Sequence, residues 1–263
     1  MEYSRVVRGL RSFSRAGEIA RCVRDCPEWA RVIPAYLGGR GLEYPYNFRT
    51  RAGDAVRLAD WEDLTTVWAV LFGDEYRVDS ADRVIVDLGA NIGAFTVHAA
   101  RIARGANIIA VEPFPANFER LRACVQANGL DERVRCRPWA VAGDDGTLTM
   151  DGAPEIASHS RCRIAPNDAK QPVEVPCYSL GHVFAAEGLS EVDYLKIDIE
   201  GAEYEALAQT PRDVLRIARV VGIECHGDHS ANERLWADFS EAGFKPRRIA
   251  RRPFWTTAEF ERC

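Results

Sequence analysis

The residues of this chain whose types and spacing could carry chemistry fall into three clusters. The first is Asp87-Leu88-Gly89-Ala90-Asn91-Ile92-Gly93, which follows the apolar run Val84-Ile85-Val86 and precedes the helix-forming stretch AFTVHAARIA. Such a run makes a parallel strand buried on both faces. Glycines where a strand gives way to a helix let the backbone approach a ligand closely, and the helix start offers unpaired N–H groups and a positive dipole end. An anionic group is expected there. The spacing is neither G-x-G-x-x-G nor that of a phosphate loop, which needs Lys and Ser or Thr after its last glycine. Asp87 would repel a pyrophosphate; it suits a ligand with an amino group beside a carboxylate.

The second cluster is Glu112-Pro113, at the C-terminal end of a second buried strand predicted over Asn107 to Val111. In a doubly wound sheet a carboxylate there reaches the next segment of the ligand. Two vicinal hydroxyls are both donors, and a bidentate carboxylate accepts from both. In the third cluster Lys196, Asp198 and Glu200 share one face of a strand predicted from Val192 to Ile199, and Glu224 and His226 alternate to one face at the end of RVVGIECHG. Ionisable groups on one face of an interior strand are costly unless paired or used. Adjacent parallel strands would bring Asp198, Glu224 and His226 together.

The elements that must position these clusters alternate between the two periods. Residues 1 to about 40 read as helices closed by Gly38, Gly39 and Gly41. A hairpin is predicted to turn at Ala52-Gly53-Asp54, and LTTVWAVLFGDEY repeats its apolar residues at helical spacing. Pro115 suits the first turn of a helix that Asn128-Gly129 ends. A third strand is predicted over Val134 to Val141, Gly201 is expected to start a helix, and Ser230 with Glu233 reads as a capping box. Residues 147–190 exceed a plain crossover, and Ser158, His159, Ser160 and Arg161 within them are candidate substrate contacts. Arg247, Arg248, Arg251 and Arg252 either hold an anionic substrate group or blunt an edge strand.

Composition narrows the class. With 263 residues, 47% of them hydrophobic, the chain can bury the core of one large α/β domain with an extension, and a net charge of -5 gives no general attraction to nucleic acid or anionic membranes. Eight cysteines without C-x-x-C pairing read as thiols of a reducing cytosol, Cys22 and Cys26 being at most half a metal site. The charged N-terminus has no signal-peptide core and no stretch reaches transmembrane length, so a soluble cytoplasmic protein is expected.

VIVDLGANIGAFTVHAA, VEPFPANFERL and VDYLKIDIEGAEYEAL together resemble the motifs of the FkbM family of class I methyltransferases, over about residues 60 to 250. The resemblance implies a Rossmann-like α/β fold with a mostly parallel seven-stranded sheet, one strand antiparallel and helices on both faces. It implies a methyltransferase domain over 61–263 with a β insertion at about 147–190, preceded by an N-terminal helical arm and hairpin over 1–60. The cofactor implied is S-adenosyl-L-methionine, with its amino acid end at Asp87, Gly89, Ala90, Asn91 and Gly93, its ribose at Glu112 and Pro113, its adenine edge at the backbone of Ala140 and Val141, and Tyr76 closing over it. The function implied is O-methylation of a small-molecule hydroxyl, as on a sugar or natural product, with N-methylation of an amine or guanidine and a non-catalytic cofactor-binding scaffold as alternatives. Asp198, Glu224 and His226 are the catalytic candidates. His226 or Asp198 would act as base, or the three would hold a divalent cation, or Asp198 and Glu224 would only neutralise Lys196 and the cofactor amine; a metal is not expected. The arm offers a homodimer surface. The acceptor and oligomeric state stay open.

Overall fold

The computed structural model describes residues 15–38, 41–151, 171–252 and 255–263, and the chain divides into two compact units between Glu75 and Tyr76. Residues 1–14 of the expected arm and the candidate contacts Ser158, His159, Ser160 and Arg161 lie outside the described residues. The first unit holds helices α1 (Ala16–Asp25) and α2 (Trp29–Gly38), the antiparallel hairpin β1 (Tyr46–Arg49) and β2 (Ala55–Leu58), and helix α3 (Trp61–Leu71). Its boundary falls later than residue 60 because α3 belongs to its core: the Trp68 ring stacks on Tyr36 at 3.9 Å, and its indole N–H donates to Glu18 at 2.8 Å. Asp60 caps α3 by accepting the Asp63 N–H.

The second unit alternates strand and helix. The order is β3 (Val84–Leu88), α4 (Ala94–Ile102), β4 (Asn107–Val111), α5 (Pro115–Ala127), β5 (Val134–Arg137), β6 (Ala140–Val141), β7 (Gly146–Asp151), β8 (Pro172–Tyr178), α6 (Leu180–Ala186), β9 (Val192–Ile197), α7 (Glu203–Ala208), α8 (Arg212–Leu215), β10 (Ala218–Cys225), α9 (His229–Glu241), β11 (Phe244–Arg251) and β12 (Thr256–Arg262). Seven strands form the main sheet in the order β11-β12-β10-β9-β3-β4-β5, all parallel except β12, which runs antiparallel to both neighbours. Val86, Ile109, Leu195, Val221, Phe239 and Phe260 belong to the buried apolar residues around it. From β3 the chain moves outward through β4 to β5, then returns to lay β9 on the other side of β3. That reversal of direction opens a crevice at the C-terminal ends of β3 and β9, where α/β sheets bind ligands.

Several local expectations change. The third strand breaks at Pro138: Val134–Arg137 stays in the main sheet, while Ala140–Val141 pairs with β8 in a three-stranded sheet, β6-β8-β7. A proline has no N–H to donate to a continuing ladder. β9 ends at Ile197, and Gly201 sits in a loop at φ 101° instead of starting a helix; α7 begins at Glu203. Asp228, not Ser230, caps α9, accepting the Ala231 N–H at 2.8 Å. β11 is an outer strand, with Arg247 beside Glu261 at 3.6 Å and Arg251 beside Glu233 at 3.5 Å, which suits the role of blunting an edge. Among the described residues no helix is long and apolar enough to cross a membrane.

The glycine turn after β3 is fixed by contact. Gly89 has φ 76°, and a Cβ there would lie 1.7 Å from the Asp198 carbonyl oxygen. Gly243 also has a positive φ, 89°, but an added Cβ meets nothing within 4 Å. Gly89→Ala is therefore expected to lower the unfolding free energy by about 3 kcal/mol or more, from strain plus overlap, and Gly243→Ala by only about 1 kcal/mol. Urea denaturation of the two variants checks the difference.

Candidate active site

Register places the first pair of charges. In the β3–β9 ladder Asp87 lies opposite Lys196. The Lys196 ammonium is 3.1 Å from Asp87 Oδ1 and donates to the Gly89 carbonyl at 2.9 Å, and Asp87 Oδ2 accepts the Thr96 hydroxyl at 2.6 Å. Asp87 has no solvent exposure and Lys196 3%. Burial opposes the lysine's charge, but the carboxylates of Asp87 and Asp198 outweigh it and hold its pKa above the ordinary value. Asp87 therefore faces Lys196 and Thr96 rather than the cavity wall, which corrects the expectation that it meets a ligand amino group. Tyr76 is buried against Phe95, ring centroids 5.3 Å apart, with the Lys196 ammonium over its ring at 5.5 Å, so it too stands behind the wall. Ala90 and Gly93 build the turn without lining it: the Ala90 N–H donates to the Val111 carbonyl, and Gly93 caps α4 with φ 87°.

A cavity of about 470 Å³ opens above these strands, lined around Glu112 by Asn91, Pro113, Asn117 and residues 139–142, and further by Gly89, residues 198–202 and His226. The volume is ordinary for a small-molecule site. Glu112 bridges the two strand ends, its Oε2 accepting the Asn91 N–H at 2.8 Å and its Oε1 the Phe114 N–H at 2.9 Å. Burial pushes its carboxyl up to about 7, and the two N–H groups oppose that rise. Each oxygen keeps a lone pair for a further donor. Asn117, in the first turn of α5, was not singled out from the sequence; it is 6% exposed, and its Oδ1 has no partner. The buried Oδ1 of Asn91 also lacks one. Both residues belong to the cavity lining, and an unpaired buried acceptor beside a ligand site is a group that binding can satisfy once its amide turns toward the ligand. From sequence, the position of Asn117 one turn into the helix after Glu112 was the available signal. The small sheet adds apolar wall through Leu148 and Met150.

Asp198, Glu224 and His226 do meet, with one ligating atom from each within 4.8 Å of the others. Their roles differ from expectation. His226 Nδ1 is 3.1 Å from the fully buried carboxylate of Glu203, and its Nε2 is 3.3 Å from Glu224 and 3.4 Å from Glu200. Burial disfavours the charged ring, but hydrogen bonds to Glu203 and Glu224 and the surrounding negative charge push its pKa up to about 11. An imidazolium accepts no proton, so with this network intact His226 is not the base. Lys196 lies 3.4 Å from Asp198 and already compensates its charge. A divalent ion among these donors would have to displace the proton of His226 and compete with Lys196 for Asp198.

Glu203, also missed in the sequence, anchors the loop beneath the wall by accepting the Ile199 N–H at 3.2 Å and the Gly201 N–H at 2.9 Å. Between them Glu200 takes a left-handed φ of 57° and joins the cavity wall, its carboxyl pushed up to about 8 by burial and then by Asp198.

A mostly parallel seven-stranded sheet with one antiparallel strand and its crevice at the strand reversal is the fold of class I methyltransferases, and that fold implies S-adenosylmethionine. Residues 87–246 match the model of the methyltransferase FkbM domain. The chain belongs to the FkbM methyltransferase family and is an enzyme of that class. It is 25% identical over 190 residues to methyltransferase sdnD of Sordaria araneosa, covering 61% of this chain and 73% of that one. It is 29% identical over 165 residues to 31-O-demethyl-FK506 methyltransferase FkbM of Streptomyces tacrolimicus, covering 52% and 64%. Among solved structures a methyltransferase FkbM from Methylobacillus flagellatus KT superposes with a TM-score of 0.51 at 14% identity, covering 77% of this chain and 55% of that one, which supports the fold.

The protonation of His226 is directly measurable. Its folded pKa lies above the ordinary 6.5, so its stabilising contribution is complete below about pH 6.5 and is lost only as pH rises toward 11. Both ring nitrogens are expected to stay protonated from pH 6 to 9 in nitrogen-resolved NMR of the folded protein; titration near 6.5 would contradict the network.

Proposed function

We propose that this enzyme is an S-adenosylmethionine-dependent O-methyltransferase acting on a hydroxyl of a small molecule, such as a sugar or natural product. The observation that carries the reading is the single cavity joining Glu112 at one end to the loop of residues 198–202 at the other, over the glycine turn. Bound there, the cofactor supplies an electrophilic methyl group on a sulfonium that departs as a neutral thioether. Glu112 would accept the ribose hydroxyls through its remaining lone pairs, and the unpaired Asn117 and Asn91 oxygens would take further donors. Ala140 and Val141 line the cavity together with Glu112, which supports the reading that their backbone would meet the adenine edge. With Asp87 turned to Lys196, Asp198, which lines the cavity with Gly89, would face the amino group. The protein's remaining tasks are to align the acceptor, exclude water and take its proton.

One relative, named 31-O-demethyl-FK506 methyltransferase, supports a small-molecule hydroxyl as the acceptor. One observation favours the amine alternative: Asp198, Glu200 and Glu205 line the same wall and would attract a cation. Lys196 and His226 already balance part of that charge.

Isothermal titration with S-adenosylhomocysteine is expected to show binding that Glu112→Gln weakens roughly tenfold, for the loss of one charge-assisted hydrogen bond of about 1.4 kcal/mol. With methyl-labelled cofactor, label is expected in hydroxyl and not amine members of an acceptor panel. Binding of a nicotinamide dinucleotide in place of S-adenosylhomocysteine would overturn the reading.

A further inference from the structure

Five carboxylates crowd the end of the cavity where the acceptor would lie, and the structure distinguishes them. Glu205 lines the wall but is exposed, so water competes for it. Glu203 is fully buried and bound to two backbone N–H groups and His226. Asp198 faces the Lys196 ammonium at 3.4 Å. Glu224 lies 3.3 Å from His226 and is not on the wall. Glu200 is on the wall, partly exposed, and its closest cation is His226 Nε2 at 3.4 Å, beyond normal hydrogen-bond length. The backbone is arranged to put it there. A left-handed φ at a glutamate is unfavourable, and such strain persists only where its surroundings enforce it. Here Glu203 enforces it, gripping the N–H groups of Ile199 and Gly201 on either side of Glu200.

We infer that Glu200 is the general base of the reaction, a role that rests on the proposed O-methylation and assigns its proton acceptor. As the acceptor oxygen forms its bond to the methyl carbon, the carbon–sulfur bond breaks with its electron pair kept by sulfur, and the hydroxyl proton passes to the Glu200 carboxylate, which becomes a neutral acid. The groups facing Glu200 are Asp198, Glu203, Glu224 and His226. Burial first, and then the three carboxylates, make Glu200 more basic, while His226 limits that rise. A carboxyl titrating near 8 is matched to proton transfer close to neutral pH. Glu203 and His226 act through Glu200 as positioning residues.

Glu200→Gly separates this role from a structural one, because glycine relieves the left-handed strain while removing the carboxylate. The variant is expected to melt at the same Tm as the unchanged protein or higher, to bind S-adenosylhomocysteine within twofold in titration calorimetry, and to transfer methyl-labelled cofactor to a total small-molecule extract of source cells at least a hundredfold more slowly. Glu200→Asp, which keeps a carboxylate one methylene shorter, is expected to recover part of the rate. The rate of the unchanged protein is expected to rise with pH up to about 8 and then level, a profile absent from Glu200→Gly. Labelling by Glu200→Gly within a few fold of the unchanged protein, or a variant that melts lower and fails to bind S-adenosylhomocysteine, would overturn the assignment. An unchanged protein that binds no S-adenosylhomocysteine would overturn the underlying methyltransferase reading instead.

Discussion

The buried pairing of Lys196 with Asp87 is the constraint on which the site depends. Two charges removed from water this completely are tolerated only when every remaining donor and acceptor is satisfied. Here Thr96 completes the carboxylate, while the carbonyls of Leu88 and Gly89 receive the rest of the ammonium's donors. Because one of those carbonyls belongs to the glycine turn, the pair ties β9 to the turn after β3. The same two segments touch again where the Asp198 carbonyl packs on Gly89. The floor of the cavity is thus a cross-strand network, and its shape follows from the ladder register that sets Asp87 opposite Lys196.

A second network repeats the principle at the cavity's edge. His226 sits among Glu203, Glu200 and Glu224 as Lys196 sits beside Asp87 and Asp198. Each cation allows several carboxylates to share a small, partly dry volume, and each loses the chemistry its residue type suggests. Histidine is usually a base near neutral pH, but surrounded by carboxylates it becomes a fixed positive charge. Asp87 would usually be a ligand contact in this position; opposite a buried lysine it becomes part of the sheet's interior. Of the wall carboxylates beside these two cations, Glu200 is the one that neither fully holds.

The segments between core strands supply the rest of the wall. After Pro138 the chain leaves the main sheet and forms β6, β7 and β8, so Leu148 and Met150 face the cavity from an element with its own small apolar cluster. The cavity therefore joins a polar, charge-balanced end built on the main sheet to a more apolar end built partly on an insertion. Such a division lets the insertion vary the accepted molecule while the main sheet holds the cofactor position.

Features set by neighbouring residues were legible in the sequence: the buried strand ending in glycines, the alternation of strands and helices, the hairpin after residue 46, and Glu112 at a strand end. Strand and helix periods and turn chemistry are local, so they survive reading one segment at a time. The sequence also brought Asp198, Glu224 and His226 to one place, because the order of parallel strands follows from their connections. It did not reveal that Asp87 faces inward, that His226 is protonated, that Glu203 anchors the loop, or that Asn117 presents an unpaired oxygen. Asp87 and Lys196 are 109 residues apart, and Glu203 and His226 are 23 apart. The protonation and availability of each group depend on the charges and depth of burial that distant segments bring to it, and only the assembled fold fixes those.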